Sequence, residues 1–79
     1  AFGCATGNVA KDKKEAELRT QMGAGFMAKR NYPAALREMI AAQSLDPTNP
    51  RIQNNLGLAY FFRERYDLSE RHLRRALQL

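Results

Sequence analysis

The chain has 79 residues, 44% of them apolar and 27% charged, which is the balance of one small globular domain rather than of a disordered tract. No run approaches the ~20 apolar residues that a membrane-crossing helix needs, and a domain of this size buries only ~60% of the surface its unfolded chain exposes. The net charge is +5, but in Arg63-Glu-Arg-Tyr-Asp-Leu-Ser-Glu-Arg-His-Leu-Arg-Arg75 acids and bases interleave, the pattern of a solvated helix face rather than of a nucleic-acid stripe.

In chain order, the first segment is Ala1-Phe-Gly-Cys-Ala-Thr-Gly7, which holds the single cysteine. One cysteine forms no internal disulfide, so its thiol is free, metal-bound or modified. Small and polar residues follow, then Lys11-Asp-Lys-Lys14, and residues 1–14 read as a flexible tether. Over 16–29, Leu18, Met22 and Phe26 recur four apart, which predicts a helix with those side chains in one inward stripe. Asn31-Tyr32-Pro33 interrupts it: Asn31 suits a cap and Pro33 the first turn of a second helix over 33–45. There Leu36, Met39, Ile40 and Ala42 are expected inward, and Asp46-Pro-Thr-Asn-Pro50 ends the helix. Helices over 50–63 and 68–79 repeat the plan. Gly23 and Gly57 cost ~1 kcal/mol each against Ala inside a helix. They are expected where a paired helix approaches too closely for a side chain.

The two halves share a period. Met22-Gly-Ala-Gly-Phe26 recurs as Leu56-Gly-Leu-Ala-Tyr60, Asn31-Tyr32 as Arg65-Tyr66, and Ala42-Gln-Ser-Leu45 as Ala76-Leu-Gln-Leu79, always at the same offset along the chain. This offset and order of residues, with Asp46-Pro47 closing the first unit, resembles the tetratricopeptide repeat. The resemblance covers 15–79. Arg19 and Gln53 stand where that family favours an early aromatic, Met39 where an aromatic is usual, and Ser69 matches Ala35. It implies an all-α fold, a tetratricopeptide α-solenoid with one repeat over 15–48 and a truncated second over 49–79, two helix-turn-helix repeats of a longer array. Leu73, Leu77 and Leu79 would face a following repeat.

The inventory for catalysis is thin, and the chain is expected to be no enzyme. His72 is the single histidine, set among arginines, and is expected to lie exposed. One Cys and one His fall short of a zinc ligand set, and no cofactor or metal is expected. What remains is surface. On the third helix Asn54, Leu58, Phe61 and Phe62 project to one side, and on the first helix Thr20, Ala24, Met27 and Ala28 hold the equivalent places. By the resemblance this side is the concave face. Two readings stand: the phenylalanines pack against a neighbouring repeat, or they form a groove for a partner segment whose backbone Asn54 and Asn55 hydrogen-bond.

Gly3-Cys4 resembles the junction of a bacterial lipoprotein signal, although Ala1 and Phe2 depart from its usual residues. That resemblance implies a diacylglyceryl group on the Cys4 thiol, and Ala5, being other than Asp, resembles the signal for sorting to the outer membrane. An unmodified surface thiol is the alternative. A lipidated cysteine, a short tether and tetratricopeptide repeats together resemble the outer-membrane lipoprotein pilotins of type IV pili. This implies a periplasm-facing scaffold, held on the membrane by its anchor, that binds a secretin subunit and helps it assemble. No nucleic-acid partner is implied. The rival reading is a soluble cytosolic repeat adaptor for a peptide or chaperone.

Overall fold

A computed structural model describes residues 8–79 as four helices in chain order: α1 (Val9–Ala28), α2 (Tyr32–Leu45), α3 (Pro50–Phe62) and α4 (Tyr66–Gln78). No strand occurs among the described residues, whose fold is all-α. α1 pairs with α2 and α3 with α4, while α2 meets α3 less extensively and α1 meets α3 least, where Ala16 joins the cluster around Ile52 and Leu56.

Three helix starts follow from the residue before them. The side-chain oxygens of Asn8, Asn31 and Asn49 accept from the backbone N–H groups of Lys11, Ala34 and Arg51, each satisfying a donor that the first helical turn leaves free. Pro33 and Pro50 lie in first turns, where a missing N–H costs nothing. α4 starts at Arg65 without a side-chain cap. Asn8 also explains a correction to the expected tether. α1 begins at Val9, so residues 9–14 are helical rather than extended lead-in. Their lysines carry no apolar period, but Asp12 in the first turn complements the positive end of the helix dipole.

The helical pairs turn alike. Arg30 and Glu64, at equivalent places in the period, both adopt left-handed backbone with φ of 60° and 61°. Beyond them the N–H groups of Asn31 and Arg65 return to the carbonyls of Phe26 and Tyr60 at 2.8 and 2.9 Å, closing each helix end with a long backward bond.

Small residues set the helix spacing. An added Cβ on Gly23 would stand 2.5 Å from Met39 Cε, and one on Gly57 2.5 Å from Leu73 Cδ2. Both glycines therefore lie where the partner helix comes close, as their cost inside a helix implied. Next to Gly57, the Ser69 hydroxyl donates to the Gly57 carbonyl at 2.7 Å.

The inward face of α1 is correspondingly small: Ala16, Thr20 and Gly23 are its buried residues. The expected stripe is turned the other way, with Leu18 56% and Met22 50% exposed and Phe26 half-buried. Side chains of that size would hold α2 off at the distance Gly23 sets. Ile40, expected inward, is exposed as well, whereas Met39 and Ala42 of the same helix are fully buried. The core is Ala16, Met39, Ala42, Ile52 and Leu56, with Leu36, Leu45 and Tyr60 packed around it. Each large aliphatic side chain buried there contributes ~1.5–3 kcal/mol.

Candidate functional site

The face expected to bind a partner is built on α3. Asn54, Leu58, Phe61 and Phe62 are all exposed, and Asn55 beside them is half-buried. On α1, Ala24 and Ala28 are exposed and Met27 is half-buried. Thr20 does not belong to this face. It is buried, and its hydroxyl donates to the carbonyl of Ala16 at 2.7 Å, one turn back in its own helix.

The phenylalanines are part of a longer aromatic run. Phe62 stacks on Tyr32 with ring centroids 5.3 Å apart and planes 9° from parallel. Phe61 meets Phe62 edge-on at 5.6 Å and Tyr66 at 5.5 Å. Four rings thus run from the start of α2 across the end of α3 to the start of α4. Such pairs are worth ~0.5–1.5 kcal/mol beyond the area they bury, so the ledge is held in place although three of its rings are exposed. Sequence reasoning found Phe61 and Phe62 but not Tyr32 and Tyr66. The signal was there: both tyrosines follow the helix-joining turn at the same place in the period.

Basic side chains rim this ledge. Lys29, Arg30, Arg63 and Arg65 lie on the two turns and are exposed, and Arg65 reaches Asp67 at 3.9 Å. Exposed rings next to turns that carry basic residues suit a segment with both apolar and acidic groups.

His72 is not the exposed residue its arginine-rich surroundings suggested. It is half-buried and lies over Tyr60, with ring centroids 5.5 Å apart. Its Nδ1 is 2.7 Å from Oε1 of Gln53, while Nε2 of the fully buried Gln53 donates to Gln43. Gln53 Oε1 is an acceptor, so the ring proton sits on Nδ1. Burial, and then the nearby charges of Arg71 and Arg75, hold the imidazole below its ordinary pKa. The contacts of Gln53 are all made within the fold, which makes this network structural.

Among the described residues no group of three or more His, Cys, Asp or Glu side chains is placed to hold a metal. None of the described helices is long and apolar enough to cross a membrane. Cys4, the expected lipid attachment point, lies outside the described residues. Comparison with known families, with curated proteins and with solved structures finds no match to the chain.

Proposed function

We propose that the chain forms a tetratricopeptide-type α-solenoid that grips a partner protein and carries out no catalysis. The observation behind this reading is the exposed apolar face of Leu58, Phe61 and Phe62, continued by Tyr32 and Tyr66 at matching places in the two helical pairs. A solvated face has no use for four contiguous rings. A partner segment laid across them would bury apolar groups on the rings, hydrogen-bond Asn54 and Asn55, and meet the basic turns with acidic groups.

Within that class we read the protein as a pilotin-like, periplasm-facing lipoprotein of the bacterial outer membrane. Acylated Cys4 would supply membrane affinity, since several acyl chains on one residue anchor stably where one gives only marginal binding. The aromatic face would supply specificity for a secretin subunit of the type IV pilus. Assembly help is then mechanical: the scaffold holds the subunit beside the membrane it must enter.

Two measurements test the two halves of this reading. Replacing Leu58 and Phe61 by Glu should abolish capture of a purified secretin subunit and leave helical circular dichroism unchanged; capture that survives would place binding elsewhere. Intact-mass analysis of protein made with its native leader should show an acyl adduct that Cys4→Ser removes. An unmodified wild-type mass ends the lipoprotein half and leaves the partner-binding half standing.

A further inference from the structure

The helical pairs correspond so closely that each residue at the α2–α3 junction has a counterpart one period away. Ile52 and Leu56 of α3 are buried against Met39 and Ala42 of α2 and Ala16 of α1, with Tyr60 and Leu45 at the margin. The counterparts of Ile52, Leu56 and Tyr60 are Leu18, Met22 and Phe26 on α1. These are the apolar stripe that turned outward. The counterparts of Met39, Ala42 and Leu45 are Leu73, Ala76 and Leu79 on and just beyond α4. Leu73 and Ala76 are half-buried, and Leu79 and, beside it, Leu77 are exposed, Leu77 to 89%. Leu18 and Met22 line one open depression and Leu73 and Leu77 another, and α1 and α4 do not touch. The molecule thus exposes, on separate helices, copies of the two surfaces that pack together in its own core.

We propose that the α4 face of one protomer binds the α1 face of a second copy, head to tail, in the arrangement that α2 and α3 already adopt within the chain. Leu73, Ala76 and Leu79 of one protomer then cover Leu18, Met22 and Phe26 of the next, continuing the helical stack through the junction. One contact of the internal interface changes character. The Gln43–Gln53 hydrogen bond is replaced by Leu77 against Arg19. Arg19 keeps its charge satisfied by Glu38 at 3.1 Å and Glu15 at 3.6 Å on its own chain, leaving its aliphatic stem for the leucine. Because the two faces differ, the contact is heterologous and does not stop at a dimer unless a ring closes. At the α4 end it adjoins the aromatic ledge, because Phe61 and Tyr66 line the same depression as Leu73 and Leu77. Leu18 and Met22 on α1 lie apart from the ledge, so the Met22 substitution tests association separately from the partner-binding reading.

Sedimentation equilibrium of the chain across a dilution series tests this, with two substitutions at exposed positions that leave the core untouched. Wild type should grow in mass beyond a dimer as concentration rises. Met22→Glu blocks the α1 face and Leu79→Glu the α4 face, and each should weaken association by roughly a hundredfold or more, because a carboxylate would be buried among apolar side chains without a partner. Each variant keeps one intact face, so the two mixed should form a dimer and nothing larger, while each alone stays monomeric. Circular dichroism confirms that both remain helical. A wild type that stays monomeric throughout the series overturns the proposal, as does either variant self-associating like wild type, or a mixture that forms no dimer.

Discussion

The imidazole of His72 and the side-chain amide of Gln53 meet at 2.7 Å, in the place where, one period earlier, Glu38 meets Arg19 at 3.1 Å. The same geometric slot between paired helices is filled by an ion pair in one half and a neutral pair in the other. The reason lies in what surrounds each. Arg19 is half-exposed and its pair lies near water, where it contributes little. Gln53 is fully buried, and an arginine there would suffer heavily from lost hydration.

The neutral pair carries a pH signature. The folded-state pKa of His72 lies below its ordinary value, first through burial and then through Arg71 and Arg75. The folded chain therefore binds this proton more weakly than the unfolded chain. Its contribution is complete above the unfolded value of ~6.5 and is lost as pH falls from there toward the folded pKa. Thermal unfolding midpoints should drop over that interval, and His72→Asn should flatten the slope. An equal slope in the variant would show that another group is responsible.

The glycines make a graded set. Gly25 has open space where a Cβ would go, so Gly25→Ala should stabilise by ~0.5–1 kcal/mol through helix propensity. Gly57→Ala would press on the branched end of Leu73, at 2.5 and 2.6 Å, and on the Ser69 carbonyl at 3.3 Å. Overpacking of ~1–3 kcal/mol then outweighs the propensity gain. Gly23→Ala meets the flexible tip of Met39 and should fall between the two. The converse change, Glu64→Gly at a left-handed turn, should stabilise by up to ~1 kcal/mol. Urea unfolding of the set gives the order directly, and Gly57→Ala at or above wild type would mean that the helices do not cross this closely.

Ser69 carries the fourth helix to its place beside the third. Its buried hydroxyl donates to the Gly57 carbonyl, while its counterpart Ala35 is buried without any such bond. Ser69→Ala should cost ~0.5–1.5 kcal/mol, the net value of one hydrogen bond. Ala35→Ser adds a hydroxyl to a fully buried site and should also destabilise. If it does not, the two crossings are more alike than their side chains indicate.

The period, the caps at Asn31 and Pro33 and the reason for Gly23 and Gly57 were all legible in the sequence, because each depends on local chemistry or on self-similarity. The orientation of α1 was not. Leu18, Met22 and Phe26 have the helical spacing of a buried stripe, but spacing only says that they share a face. Which face turns inward is decided by the close approach at Gly23, a tertiary event that favours Ala16 and Thr20. The aromatic ledge was hidden for a related reason: Tyr32 is distant in sequence from Phe62, and only the packing of α2 on α3 stacks them. For His72, the arginine neighbours describe only the outer side of α4, while Gln53 and Tyr60 reach it from α3.

The sharpest test of that orientation compares two residues at one position of the period. Met22 and Leu56 are counterparts, yet Met22 is half-exposed on α1 and Leu56 is fully buried in the core. Leu56→Ala should cost ~2–5 kcal/mol, because the transfer energy of the side chain is lost and a cavity remains among residues that relax only partly. Met22→Ala should stay within ~0.5 kcal/mol of wild type, since water already reaches the site. Leu18 and Ile52 form a second such pair with the same expected contrast. Guanidinium unfolding at a chain concentration low enough to suppress association measures all four. Equal losses at Met22 and Leu56 would mean that α1 buries its apolar stripe after all, and Ala16 and Thr20 would then have to be the exposed side.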